Sequence, residues 1–151
     1  MPDYNALLEA MPEDELLARV IYGECRGGDD ASAIAWVVRN RVDEDLNDDG
    51  LDDWWGEGYD GVLLKKYQFS CLNYFSKNKN ILVNFRRLMD VQEGDPRYDR
   101  CLKIARGVMS GELPDPTGGA TGYHADYCRP SWADKCEFLC KIGKHLFYRT
   151  R

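Results

Sequence analysis

Apolar residues recur along much of this chain at helical spacing. In PEDELLARVIYGECRGG, Leu17, Val20 and Ile21 follow i, i+3, i+4, and the next position of that stripe is Glu24. Pro12 followed by Glu13, Asp14 and Glu15 suits a first helical turn, because proline tolerates that position and carboxylates favour the positive end of the dipole. The run Arg26, Gly27, Gly28 should stop this helix near Cys25. A second stripe, Ile34, Val37 and Val38, ends in Arg41, with Asp29 or Asp30 placed to cap its start.

Residues 43–61 are too acidic and glycine-rich for a core element and read as a surface loop. Helix is predicted to resume in VLLKKYQF, to return in ILVNFRRLMD, and to start again at Asp95 and Pro96 with the stripe Tyr98, Cys101, Leu102, Ala105, Val108, Met109. From Leu113 the pattern changes. PDPTGGATGYHADYCRPSW cannot be a helix and predicts a small hairpin; the tail CEFLCKIGKHLFYR can begin helical, and its β-branched and aromatic residues fit a final strand as well.

At 151 residues the chain is expected to form one domain over 1–151, burying about two thirds of its unfolded surface. The 44% apolar and 30% charged fractions are those of a soluble protein, and no run approaches the ~18 apolar residues of a membrane span. A net charge of −6 without clustered Lys and Arg argues against nucleic acid as a partner. The six cysteines, Cys25, Cys71, Cys101, Cys128, Cys136 and Cys140, are expected to be mostly reduced thiols, since a core of this size does not need disulfides. The acidic amino terminus has no basic start or continuous apolar stretch, so no Sec-type signal peptide is expected, and export would need another route.

Two readings of Glu24 stand side by side. In an apolar pocket without a partner its carboxyl would hold its proton toward neutral pH, the condition for a general acid. At a frayed helix end it would pair with Arg26 or Arg41 and lose that role. DPTGGATGYHADY is likewise double: adjacent glycines with Thr117, Thr121, Tyr123 and His124 suit a sugar-like ligand, or an ordinary hairpin turn. In YQFSCLN, Gln68 and Ser70 flank Phe69, which could set an amide beside an aromatic platform, and Trp132 and Tyr148 are further stacking candidates.

ARVIYGECRGG, AIAWVVRNRV, YQFSC, DPTGGATGYHADYCRPSWA and IGKHLFYR, in this order from about Leu17 to Arg149, resemble the cell-wall hydrolase family that includes the spore-cortex-lytic (SleB-type) enzymes. The resemblance implies an α+β fold: a mainly helical, lysozyme-like domain with a small β-hairpin near the C-terminal third. It implies cleavage of the peptidoglycan bond between N-acetylmuramic acid and N-acetylglucosamine, by a lytic transglycosylase or a muramidase, by a monomer, with no cofactor and no metal. Related domains occur in bacteriophage, so a phage lysin is compatible, held in the cytoplasm of the producing cell before release or in a virion.

Carried onto this chain, the family's catalytic glutamate falls on Glu24, with Cys25 where alanine is usual. Its Gln-Phe-Ser element falls on Gln68, Phe69 and Ser70, and its Thr-Gly-Gly-Ala and Tyr-His elements on Thr117, Gly118, Gly119, Ala120, Tyr123 and His124, as a substrate-binding set. The closing motif maps to Ile142, Gly143, His145, Phe147 and Tyr148, where packing and catalytic roles are both open. Asp115 and Asp126 are the candidates for a second carboxylate.

Three other readings give distinct expectations. Asp45, Asn47, Asp49, Gly50 and Asp53 fit the first part of a calcium loop, but Glu57 falls one residue late for the usual bidentate ligand, and a solvated acidic loop is expected. His124, Cys128, Cys136 and Cys140 match no standard zinc spacing. A glycan-binding or structural protein on the same scaffold is the alternative to an enzyme.

Overall fold

A computed structural model of the chain describes residues 3–46, 55–65 and 68–150. The calcium-loop pattern lies outside them, apart from the backbone of Asp45 within a helix. The described residues contain six α-helices and then three strands: α1 (Tyr4–Ala10), α2 (Glu13–Cys25), α3 (Ala31–Leu46), α4 (Gly58–Leu64), α5 (Lys79–Asp90), α6 (Pro96–Ser110), β1 (Gly122–Ala125), β2 (Glu137–Ile142) and β3 (His145–Arg149). The architecture is α+β, as the resemblance implies.

Helix α2 is central, packing on α3, α4, α5 and α6. Leu16, Leu17, Ala18, Val20 and Ile21 are wholly buried, so water is excluded along the ridge that leads to Glu24. Arg26 ends the helix in the left-handed region at φ 56, a conformation that costs a non-glycine residue roughly 1 kcal/mol or more. Helix α6 is built as its sequence implies: Asp95 caps the N–H groups of Arg97 and Tyr98 at 2.9 and 3.2 Å, Pro96 opens the first turn, and of the expected stripe only Met109 is not fully buried. Arg19 ties α2 to α5, its guanidinium donating to the carbonyls of Leu88 (2.7 Å) and Val91 (2.8 Å) while lying over the Tyr98 ring.

Three boundaries differ from the pattern-based expectation. Helix α1 forms because Asp3 caps it and Tyr4 packs edge-on against Phe85, a tertiary contact with no local signal. Helix reaches into both ends of the stretch 43–61 expected as a loop: α3 runs to Leu46 and α4 begins at Gly58. The hairpin lies later than expected. Segment 113–132 supplies only β1, and the hairpin proper is β2 and β3 from the tail, giving an antiparallel sheet of order β1-β3-β2. Strand β2 carries no clean alternation: its residues are exposed or half-buried, and a bulge sits between Phe138 and Cys140. The sheet docks on α3 through a second small core of Ala33, Ile34, Val37, Ala120 and Phe147.

Candidate active site

Glu24 occupies the last turn of α2, where the buried ridge meets a cavity of about 440 Å³. The helix brings Glu24, the segment 68–71 brings Ser70 and Cys71, β1 brings Tyr123 and His124, and β3 brings His145 to the same space. Burial pushes the Glu24 carboxyl above its ordinary value of 4.5; the neighbouring Cys71 thiol, His145, Tyr123 and Arg41 offset this only in part. The ion pair that would have held it charged does not form. Arg26 is turned to Tyr22 O and Asn84, and Arg41 to Thr121 O. Of the two sequence readings, the desolvated acid is the one the geometry supports.

The sequence-derived binding residues divide. Ser70 is exposed at the cavity, and Tyr123, His124, Phe69 and Gln68 form part of its lining. The Gln68 amide is already engaged, donating to Trp55 O at 2.8 Å and Val62 O at 2.7 Å, so it holds the loop together. His124 donates through Nδ1 to Ala125 O at 2.7 Å, and its Nε2 meets the Tyr148 hydroxyl at 2.9 Å, which fixes the ring.

Thr117, Gly118, Gly119 and Ala120 are not brought to this cavity, which corrects the expectation that they line it. They form a turn around Asp115, whose carboxylate accepts from Thr117 N (2.8 Å), Thr117 Oγ1 (2.6 Å), Gly119 N (3.0 Å) and Asn40 Nδ2 (3.0 Å). Thr117 Oγ1 in turn accepts from Ala120 N, and Ala120 is wholly buried. Desolvation would raise Asp115, but these donors outweigh it and hold the carboxyl below the usual range. A carboxylate so fully used is a structural clasp. Asp126 pairs with Lys141 at 3.6 Å, so neither aspartate is the second carboxylate of the cavity.

Asp30, a candidate helix cap by its position, reaches across the fold instead. Its carboxylate accepts from His145 Nδ1, 115 residues away, and both side chains are buried. Desolvation opposes the Asp30 charge, yet the hydrogen bond and the charge of His145 prevail and keep it low. The pair clamps the hairpin turn to the start of α3 and fixes the orientation of a ring that lines the Glu24 cavity. Gly143 makes the approach possible: its φ is +58, and a Cβ there would lie 3.0 Å from Asp30 Cγ. The variant Gly143→Ala should therefore lose about 1–2 kcal/mol from the backbone alone, plus displacement of Asp30. Chemical denaturation of the two proteins checks this, and equal midpoints would contradict it.

Cys25 behaves as a small apolar group, its thiol donating to Ile21 O at 3.4 Å while burial pushes it up to about 12. All six cysteines are unpaired, and among the described residues no three His, Cys, Asp or Glu side chains gather as a metal-holding group. A groove of about 620 Å³ lies across α6 between Glu93 and Leu113; it shares no residue with the Glu24 cavity.

A central buried helix that delivers one desolvated glutamate into a cleft walled by a small antiparallel sheet is a lysozyme-like α+β scaffold. The chain belongs to the cell wall hydrolase family, whose model matches residues 27–148; Glu24 lies just ahead of that stretch. Two solved structures share the fold. One is the catalytic domain of the germination-specific lytic transglycosylase SleB from Bacillus anthracis, 21% identical, covering 98% of this chain and 99% of that one with a TM-score of 0.58. The other is the catalytic domain of the Bacillus cereus SleB protein, 22% identical, covering 90% of this chain and 88% of that one with a TM-score of 0.56. No curated protein matches the chain.

Proposed function

We propose that this protein cleaves peptidoglycan glycan strands between N-acetylmuramic acid and N-acetylglucosamine as a lytic transglycosylase, with Glu24 as its general acid and then its base. The observation that carries the reading is the position of Glu24, at the end of a buried ridge and in a cavity where, among the described residues, it is the only carboxylate in the lining; burial there pushes its carboxyl up. Paired-carboxylate glycosidases need a second acid group about 5–10 Å away, as nucleophile or as base for water. An intramolecular route does not. Glu24 gives its proton to the bridging oxygen, which leaves as the hydroxyl of the departing sugar. The muramyl C6 hydroxyl then bonds to C1, and its proton returns to Glu24, closing an anhydro ring with no net consumption of water.

The match to the cell wall hydrolase family and the likeness to the Bacillus anthracis SleB domain, a lytic transglycosylase, support this reading. His145, held by Asp30, lies beside the acid and favours its charged form, which suits the second half of the cycle, when Glu24 must accept a proton. A non-catalytic glycan binder has no need for a desolvated acid in its cleft. Incubation with purified sacculi and mass spectrometry of the soluble products is the test. Anhydromuramyl ends support the proposal, reducing ends would assign a muramidase, and no release would leave a binding protein.

The acidic surface adds an expectation about ionic strength. With a net charge of −6 facing an anionic wall, long-range repulsion slows encounter at low salt. Activity on sacculi should rise with moderate salt before it falls, and a steady decline from the lowest concentration would contradict this.

A further inference from the structure

Behind the wall formed by Tyr123 and Gln68, a second cavity of about 430 Å³ adjoins the Glu24 cavity, with Trp55 and Trp132 in its lining. Arg41 lines both. The residue is 8% exposed, its Nε donates to Thr121 O at 2.7 Å, and its guanidinium lies 4.3 Å from the Trp55 ring centroid and 5.4 Å from that of Phe69. The Nη1 atom is buried and has no hydrogen-bond partner. Burial lowers the group to about 10, so it remains a cation at any working pH.

A fixed, desolvated cation with an unused donor is costly to keep unless something accepts from it. Among the described residues no carboxylate does so: Glu24 is not bonded to it, and Thr121 offers one neutral carbonyl to Nε. Arg41 lines the Glu24 cavity itself, which places its guanidinium beside the reacting muramyl residue. Resting on the glycan-cleaving reading above, the choice of acceptor follows from the chemistry of the polymer. Hydroxyl and N-acetyl groups occur on both sugars alike. Only the muramyl residue carries a lactyl arm, which presents a carbonyl oxygen when a peptide is attached and a carboxylate when it is not, and an arginine fork matches that group best.

We propose that Arg41 recognises the muramyl lactyl group through Nη1, so that this side chain sets the register of the strand and distinguishes peptidoglycan from glycans that lack the arm. The flanking indoles of Trp55 and Trp132 offer apolar faces to the sugar ring.

Binding is measured in the inactive Glu24→Gln protein by tryptophan fluorescence, with two probes of equal length: glycan strands stripped of peptide by an amidase, and chitooligosaccharides. Adding Arg41→Met, which retains an unbranched stem between Trp55 and Phe69, should weaken binding of the stripped strands about 10-fold or more, the effect of one charge-assisted hydrogen bond. Chitooligosaccharide affinity should change less than about threefold. Arg41→Lys, which keeps the charge, serves if the methionine variant does not fold, and should show the same selectivity with a smaller loss. Equal losses on both probes would make Arg41 a structural residue, and no loss on either would remove it from the cleft; either result overturns the proposal. Selective loss in a protein whose parent releases no muropeptides would keep the lactyl site and discard the catalytic reading.

Discussion

Glu24→Gln is expected to reduce release of muropeptides by at least ~100-fold, the usual scale for losing a general acid, while leaving the fold intact. The amide preserves shape and can still meet the Cys71 and Tyr123 side chains, but it has no acid proton to give to a departing sugar oxygen. Stability should move the other way. In wild type the folded state holds this proton more tightly than the unfolded chain does, so stability falls as pH rises from the ordinary value of 4.5 through the raised folded value. Glutamine does not titrate. The variant should therefore match the wild type less closely as pH climbs, and near neutrality it should melt at the higher temperature. A turbidity assay on sacculi beside thermal melts at acidic and neutral pH reads both. Retained lysis would remove Glu24 from the chemistry, and a variant that melts below wild type at neutral pH would deny that its carboxyl is desolvated.

The part of this site that was legible in the chain is the part built by one helix. A stripe of Leu17, Val20 and Ile21 with a carboxylate at its next position states both where water is excluded and what is placed there. Local stop signals at Arg26 and Gly27, and the cap at Asp95, set helix ends that the structure keeps. What could not be read depends on partners far away in sequence. Asp30 next to a helix start looks like a cap, and nothing nearby announces that His145 will take its carboxylate. Thr117 to Ala120 have the composition of a ligand loop, yet their polar atoms are consumed by Asp115 and Asn40. Arg41 ended an apolar stripe just as Glu24 did; its signal was present, and only the burial of Nη1 shows that it remains unsatisfied.

Phe147→Ala should cost about 3–5 kcal/mol, the range for emptying a fully buried aromatic site, and lower the melting temperature by roughly 6–20 °C in a chain of this size. Phe147 is completely buried and is the largest member of the small core that joins the sheet to α3, with Ala33, Ile34, Val37 and Ala120 around it. Alanine cannot be refilled from the sheet side, because the neighbouring strand presents Tyr123 directly opposite in register, and that ring is held against His145 at 5.4 Å between centroids. Loss of the phenyl ring thus acts on function through geometry. β1 carries Tyr123 and His124, β3 carries His145, and Phe147 belongs to the cluster through which the sheet is seated on α3. Activity measured well below the melting point should fall by more than the unfolded fraction explains, and Phe147→Leu, which leaves a smaller void, should recover most of it. A Phe147→Ala protein that melts within about 2 °C of wild type, a difference below about 1 kcal/mol, would show that the sheet is anchored elsewhere and that the cleft does not depend on this second core.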